Sequence, residues 1–195
     1  MNRMKNKGHS ALLVVDAQES FKARGQAFWT SGGPAGFEQN IGALVEGFRN
    51  ARRPVFFILH TDEDPGFAID SSYFRVLDGL ALRPGDPVIV KRVHNAFTGT
   101  SLLPMLVQKG INRLAVCGIR TEQCCETTTR VASDLGFDVD FVTEATMTFP
   151  LTHPNGTDHM TVEQIQSRTE MVLSGRFARI VTVREVLENL GGKAI

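Results

Sequence analysis

The sequence predicts an α/β fold in which a parallel sheet is covered by helices on both faces. Short apolar runs rich in valine, isoleucine and phenylalanine alternate along the chain with longer amphipathic stretches. The apolar runs show little polar alternation, as expected of strands that are buried on both faces. No repeat or low-complexity tract interrupts the pattern over the 195 residues. Strands and helices that alternate in this way indicate βαβ units.

The individual elements follow from the same periodicity. The predicted strands are residues 11–15, 54–59, 87–90, 113–118, 139–143 and 178–183. The predicted helices are residues 38–52, 100–109, 121–136, 161–174 and 184–190. Gly110, Gly136 and Gly175 lie where three of these helices should end, since glycine commonly adopts the left-handed conformation there.

Two stretches fit neither a strand nor a helix. Residues 22–36 and 147–160 are rich in Gly, Pro, Ser, Thr or Asn, and each follows a predicted strand after a short interval. Ligands of open parallel sheets bind outside the carboxyl ends of the strands. We therefore expect these loops to shape a binding site, although a variable surface loop is the alternative, above all for residues 151–158.

Composition and charge exclude several classes of protein. Lys+Arg and Asp+Glu both number 21, so the formal net charge is zero, and neither nucleic acid nor an anionic membrane is an expected partner. The basic start is followed by the apolar run 11–15, which is too short for a signal peptide or a membrane span. Three cysteines do not suggest a disulfide framework. We expect a single domain, residues 1–195, in the cytoplasm with reduced thiols.

Three polar residues mark a candidate site. Asp16 and Lys91 each follow a predicted strand directly, and Cys124 lies in the first turn of the helix after strand 113–118. Each has an ordinary alternative: a helix cap or a turn residue for Asp16, a lysine that reaches solvent for Lys91, and a core residue for Cys124. The carboxyl ends of parallel strands, however, converge on one edge of the sheet.

Together these residue types suit nucleophilic catalysis. A helix N-terminus and a nearby ammonium both favour a thiolate, which is the nucleophilic form of cysteine. A carboxylate can take the thiol proton and later return it to a leaving group. Free backbone N–H groups at the start of a helix can hold an oxyanion.

The neighbouring Cys125 receives a different interpretation. We place the helix cap at Thr121, whose side chain would accept a hydrogen bond from a backbone N–H two or three residues further on. Cys125 is rotated by about 100° from Cys124 on such a helix, so we expect it to be a packing residue. The threonines at 127–129 lower helix propensity, a cost that packing can offset.

Three segments carry a resemblance to a known family. They are "LLVVDAQESF", "VIVKRVHNAFTGTSL" and "LAVCGIRTEQCCETTTRVASDLGFDVDFVTEA". In this order they resemble the isochorismatase-like cysteine hydrolase superfamily, over about residues 11–185. The resemblance implies a three-layer α/β/α fold with a mainly parallel, Rossmann-like sheet of about six strands.

The resemblance also implies residue roles. Asp16, Lys91 and Cys124 match the catalytic triad of that superfamily. The bond between Ile119 and Arg120 matches a position that is often cis. The backbone N–H groups of Arg120 and Cys124 match the donors of its oxyanion hole.

Pocket residues follow less directly. Phe21 and Phe97 match aromatic positions that often line the substrate pocket, although plain core phenylalanines are the alternative. Arg120 stands where a small residue is usual. It could bind a substrate carboxylate with two parallel hydrogen bonds, or point away and pair across a subunit interface. His94 and Asn95 replace a more usual Tyr-Ser pair, which should alter the polarity of the pocket.

The metal-binding pattern of nicotinamidases in the superfamily is incomplete here. Those enzymes carry an Asp-x-His, and the corresponding segment reads "HTDEDPGF" from His60 to Phe67, with Asp62 present and Asp64 in the place of the histidine. Zinc or iron would favour imidazole at such a site. We predict no metal and no cofactor, and we disfavour nicotinamide as the substrate. A weak site for a hard cation at Asp62 and Asp64 stays open, with a solvated acidic turn as the alternative.

The leading functional hypothesis is a cysteine amidohydrolase. Cys124 would attack a small amide or carbamoyl compound to give a thioester, with Asp16 as base and then acid, while Lys91 stabilises charge and keeps the thiol ionised. One alternative is isochorismate-type vinyl-ether hydrolysis, which needs the aspartate but not the thiol. Others are a thiol redox or sensing protein, which would use Cys124 and Cys125 with Cys117 as a resolving partner, and a binding protein on an enzyme fold. The superfamily also implies a homo-oligomer.

Overall fold

Six parallel strands form the central sheet of the computed structural model, which describes residues 9–191. The eight strands are β1 (His9–Val15), β2 (Val55–His60), β3 (Val88–Lys91), β4 (Ile111–Ile119), β5 (Asp138–Met147), β6 (Leu151–Thr152), β7 (His159–Met160) and β8 (Arg179–Ile180). The order in the central sheet is β3-β2-β1-β4-β5-β8. β6 and β7 pair as a separate antiparallel hairpin. The predicted parallel sheet and its six strands are confirmed.

Helices cover both faces of this sheet. They are α1 (Gln26–Thr30), α2 (Phe37–Asn50), α3 (Leu102–Gln108), α4 (Glu126–Asp134), α5 (Val162–Leu173) and α6 (Val183–Asn189), together with a 3-10 helix (Glu19–Arg24) and a π-helical turn (Thr121–Cys125). Within residues 9–191 no helix has the length and apolar character that crossing a membrane requires.

Two cores result, one on each face. Successive residues of a strand point to opposite faces, so Leu12 and Val14 pack into the core that α2 and α6 close. Leu13 and Val15 pack into the core to which α3, α4 and α5 contribute. Burial on both faces explains why β1 reads as a continuous apolar run, and the layers confirm the predicted three-layer α/β/α arrangement.

The structure departs from the predicted elements at the last strand and in the two loop stretches. Strand 178–183 is reduced to β8, because the side chain of Thr182 accepts a hydrogen bond from Glu185 N and begins α6 with a capping box. The two loop stretches are partly ordered, since residues 22–36 include α1 and residues 147–160 include the β6–β7 hairpin. The glycines at 110, 136 and 175 all have positive φ, as predicted for helix ends.

Gly118 brings β4 against β1 beside the candidate site. It pairs with Val15 in the sheet and has a φ of 128°. A Cβ added at this position would lie 1.8 Å from the carbonyl oxygen of Val15. Only glycine therefore allows this approach, which sets the ends of the two strands that precede Asp16 and Cys124 side by side.

Candidate active site

The structure brings Asp16, Lys91 and Cys124 into one buried cluster. Asp16 directly follows β1, Lys91 ends β3, and Cys124 lies in the π-helical turn after β4. The Lys91 ammonium donates to Asp16 Oδ2 at 2.7 Å and to Cys124 Sγ at 3.4 Å. β2 separates β1 from β3, so the long lysine side chain spans the end of β2 to reach the aspartate.

His60, the last residue of β2, also contacts this cluster. Its Nδ1 lies 3.4 Å from Lys91 Nζ, and its Nε2 lies 3.2 Å from Asp62 Oδ2. An ammonium only donates, so Nδ1 must accept and the ring proton must sit on Nε2, facing Asp62. Burial and the charge of Lys91 lower the pKa of His60, which favours the neutral ring. Sequence reasoning considered His60 only as part of a metal pattern, although it directly follows the predicted strand 54–59, and that position is the signal that would have placed it at the same edge of the sheet.

Gln18 fixes the end of β2 relative to the loop after β1. It is fully buried, its Nε2 donates to His60 O at 3.0 Å, and its Oε1 accepts from His60 N at 2.8 Å. Its Nε2 also donates to Ser20 Oγ at 2.8 Å. The glutamine of the first motif therefore holds the backbone between Asp16 and the 3-10 helix in place, a role that sequence reasoning did not assign.

The electrostatics of the cluster favour a protonated thiol at rest. Burial raises the pKa of Cys124 and the charge of Asp16 raises it further, whereas Lys91 lowers it. Burial likewise raises the pKa of Asp16 against the opposing effect of Lys91. The expectation that Lys91 keeps the thiol ionised is thus wrong for the resting site, because desolvation outweighs the attraction of the ammonium. Asp16 Oδ1 is buried and accepts no hydrogen bond within residues 9–191, so this oxygen can receive the thiol proton.

The turn that carries Cys124 differs from the predicted helix start. Thr121 does not cap the helix: its hydroxyl donates to Thr146 Oγ1 at 2.8 Å, which links the turn to β5. The first residues form a π-helical turn in which Arg120 O accepts from Cys125 N at 3.1 Å. The peptide bond between Ile119 and Arg120 is cis, as the resemblance implied.

The other two cysteines are packing residues. Cys125 is completely buried in the core on the α3–α5 face, and burial raises the pKa of its thiol well above the ordinary value. Cys117 is also completely buried and donates to Leu13 O at 3.5 Å. All three cysteines are free.

One threonine of the run 127–129 has a positioning contact. Thr128 is buried in α4, and its Oγ1 accepts from the backbone N–H of Ala96 at 3.1 Å. This bond attaches α4 to the loop after β3. The helix that follows Cys124 and the loop that follows Lys91 are therefore held together, which offsets the low helix propensity of the threonines.

The two predicted pocket phenylalanines lie on different sides of the sheet. Phe21 packs edge-on against Phe67, with ring centroids 5.0 Å apart, on the α2–α6 side. Phe97 stacks against Phe137 at 6.1 Å and belongs to the same core as Cys124. Only Phe21 joins a larger group of rings, which we call the phenylalanine cluster: Phe21, Phe28, Phe67 and Phe149.

Arg120 turns toward this phenylalanine cluster. Its guanidinium carbon lies 5.0 Å from the ring centroid of Phe149 and 5.8 Å from that of Phe28. The side chain is half-buried, and burial lowers the pKa of the guanidinium, as does the charge of Arg24. The cation therefore lies over apolar rings, four residues before Cys124 in the chain.

The two candidate metal-binding aspartates already have partners. Asp64 pairs with Arg24 at 2.9 Å and accepts from Gly66 N, while Asp62 contacts His60. No group of three or more His, Cys, Asp or Glu side chains within residues 9–191 is arranged to hold a metal ion. An arginine-paired carboxylate does not supply the donor set that zinc or iron favours, so the residues do not fit the metal of the nicotinamidases.

The fold and the site together define a three-layer α/β protein with a buried Cys-Asp-Lys cluster at the carboxyl edge of its sheet. The family model of the isochorismatase domain matches residues 10–175. The chain belongs to the isochorismatase family and is a hydrolase.

Individual relatives agree with this membership. The chain is 29% identical to nicotinamidase 3 of Arabidopsis thaliana, over 94% of this chain and 89% of that protein. It is 30% identical to a streptothricin hydrolase of Streptomyces noursei, over 72% of this chain and 50% of that protein. A crystal structure of an isochorismatase-family protein from Chromobacterium violaceum has a TM-score of 0.84 at 26% identity and covers 97% of both chains.

Proposed function

We propose that the protein is a cysteine amidohydrolase that cleaves the C–N bond of a small amide or carbamoyl compound. The observation that carries the proposal is the buried Lys91 ammonium, which hydrogen-bonds both Asp16 and Cys124. One cation thus aligns a general base with a nucleophile. The similarity to a nicotinamidase, named for an amide substrate, also supports C–N cleavage.

The first half of the reaction forms a thioester. Asp16 takes the proton of the Cys124 thiol as sulfur attacks the carbonyl carbon and the C=O electron pair moves to oxygen. The backbone N–H groups of Arg120 and Cys124 stabilise this oxyanion. The oxyanion collapses, the C–N bond breaks, and Asp16 returns its proton to the leaving nitrogen.

The second half releases the acid. Asp16 removes a proton from a water molecule that attacks the thioester carbon. The C–S bond then breaks, and the sulfur of Cys124 recovers a proton from Asp16. Lys91 stabilises the charge that passes between Asp16 and Cys124, and its own contacts with both groups persist through the cycle.

The two adjacent cysteines provide a matched test. Cys124→Ala should abolish hydrolysis of a panel of small amides and should prevent any acyl adduct that mass spectrometry detects on the wild type. Cys125→Ala should fold and keep much of the activity, because Cys125 is a buried packing residue. Equal loss in both variants would refute the assignment of the nucleophile.

Other outcomes would favour the alternatives. Activity that survives in Cys124→Ala but vanishes in Asp16→Asn would indicate vinyl-ether hydrolysis. A disulfide that forms and recycles after mild peroxide, counted through the free thiols, would indicate a redox function. Because the carboxylates of Asp62 and Asp64 are already paired, we expect dialysis against a chelator to leave the rate unchanged.

A further inference from the structure

Within residues 9–191, the guanidinium of Arg120 forms no ion pair with a carboxylate. Its attraction to Glu122 acts at longer range. Glu122 is itself held by Thr148, whose hydroxyl donates to Glu122 Oε2 at 2.6 Å. A half-buried cation that lacks a carboxylate partner has lost part of its hydration without a full replacement.

The surroundings of Arg120 favour a flat, delocalised cation but supply little charge compensation. Phe28 and Phe149 stack with their centroids 4.1 Å apart, and the guanidinium lies over both rings. Contacts of this kind attract the cation but do not neutralise its charge as a carboxylate partner would. The rings orient the guanidinium and leave its N–H donors available.

A second arginine raises the positive potential at the same place. The guanidinium carbon of Arg24 lies 5.6 Å from the Phe28 centroid and 5.5 Å from the Phe67 centroid. Asp64 pairs with Arg24 at 2.9 Å, so most of that charge is compensated. Arg24 and Arg120 both contact the phenylalanine cluster, but within residues 9–191 only Arg24 has a carboxylate partner. The charge of Arg120 is therefore the one that a bound anion would compensate.

From this arrangement we infer that Arg120 is a specificity-determining residue that binds a carboxylate on the substrate. The inference rests on the proposed function and narrows it: the substrate class is small amide or carbamoyl compounds that also carry a free carboxylate. The planar guanidinium offers two parallel N–H donors that match a carboxylate. Bound in this way, the carboxylate holds the scissile carbonyl beside Cys124, since Arg120 directly precedes the π-helical turn that carries Cys124.

Matched substrate pairs test the inference. Succinamate, malonamate and 4-carbamoylbenzoate are each compared with the diamide in which a carboxamide replaces the carboxylate. The wild type should show a kcat/KM at least about 10-fold higher for the carboxylate member of a pair, as expected for hydrogen bonds to a charged group. Arg120→Gln should lower that selectivity ratio by about 10- to 100-fold, with most of the change in KM.

Three further variants control the experiment. Arg120→Lys keeps the charge but loses the planar fork, so it should keep only part of the selectivity. Arg24→Gln should have a smaller effect than Arg120→Gln, because Asp64 already compensates Arg24. Arg184→Gln removes an exposed arginine from α6 and should leave the ratio unchanged.

Binding to the Cys124→Ala protein separates this inference from the proposed function. Calorimetry should show succinamate bound at least about 10-fold more tightly than succinamide, and Arg120→Gln in the same background should remove the difference. If no acyl adduct forms in the wild type but this preference holds, the proposed chemistry fails and the carboxylate specificity stands. Equal affinities, a preference for the diamide, no binding of any panel member, or a larger effect of Arg24→Gln would each overturn the specificity. Thermal unfolding of every variant shows whether a lower selectivity ratio between carboxylate and diamide substrates results from misfolding.

Discussion

Replacement of Lys91 by methionine should expose how far the site depends on its buried ion pair. The ammonium and the Asp16 carboxylate are 2.7 Å apart, and the two side chains are 0% and 1% exposed. With an effective dielectric constant of about 20, their gross attraction is about 6 kcal/mol, much of which the lost hydration offsets. Removal of one partner leaves the other charge buried, which typically costs about 3–5 kcal/mol. We expect this loss in the free energy of unfolding of Lys91→Met at neutral pH.

The assay is a double-mutant cycle in urea. Lys91→Met, Asp16→Asn and the double variant are unfolded at pH 7, and the free energies are compared. Because the double variant buries no uncompensated charge, its cost should fall well below the sum of the two single costs. Costs that add to within about 0.5 kcal/mol would show that the two groups do not interact, and would refute the reasoning.

The same variant makes a pH prediction. The charge of Lys91 lowers the pKa of Asp16 against the effect of burial, so the pKa should rise further in Lys91→Met. A carboxyl group whose pKa is raised in the folded state contributes stability that is present below its unfolded pKa and is lost as the pH rises through the folded pKa. The deficit of Lys91→Met relative to the wild type should therefore shrink as the pH falls from 7 toward the ordinary pKa of 3.8. A stability deficit that stays constant over this pH range would show that the charge left buried in Lys91→Met is not that of Asp16.

Three further predictions concern the support of the site. Gly118→Ala should lower the free energy of unfolding in urea by more than about 3 kcal/mol, because the new methyl group would clash with the Val15 backbone in addition to straining its own. Gly136→Ala is the control: its φ of 92° is also strained, but the space around it is open, so the cost should be about 1 kcal/mol. Thr128→Val should cost about 1–3 kcal/mol, because the buried N–H of Ala96 loses its acceptor; a cost below about 0.3 kcal/mol would contradict this. His60→Asn should make the acid limb of the pH–rate profile less steep. Protonation of the imidazole, whose pKa is lowered, would place a second cation beside the Lys91 ammonium. An acid limb that is unchanged in the variant would exclude His60 from the groups that titrate there.

Much of the cluster of Asp16, Lys91 and Cys124 could be predicted from the sequence because it depends on topology. Asp16 and Lys91 directly follow strands, and a parallel sheet brings such positions to one edge whatever the loops do. The helix that carries Cys124 likewise begins where β4 ends. The position of His60 depends on strand order. Because β2 lies between β1 and β3, the end of β2 brings His60 near Lys91, and the periodicity of a single sequence does not give this order.

The aromatic surroundings of Arg120 could not be predicted in the same way. The four rings of the phenylalanine cluster come from the 3-10 helix, α1, the loop after β2 and the segment after β5. No sequence spacing links positions 21, 28, 67 and 149, and residues 22–36 read as a loop until the structure showed α1. Arg120 was recognisable as an unusual residue at its position, but the orientation of its side chain depends on rings that are distant in sequence.

The pKa of Cys124 shows why rules based on neighbouring residues predicted a shift in the wrong direction. A helix N-terminus and a neighbouring ammonium each favour a thiolate, and both features are readable from the sequence. Desolvation raises the pKa of Cys124 instead, and the charge of Asp16 raises it further. Both effects depend on how the whole core packs around the thiol. The consequence is mechanistic: a thiol that rests protonated needs a base within the site. The raised pKa of Asp16 makes its carboxylate a stronger base for that transfer than an exposed aspartate would be. In the proposed mechanism, burial therefore suppresses the resting thiolate of Cys124 and also strengthens Asp16, the base that takes the thiol proton.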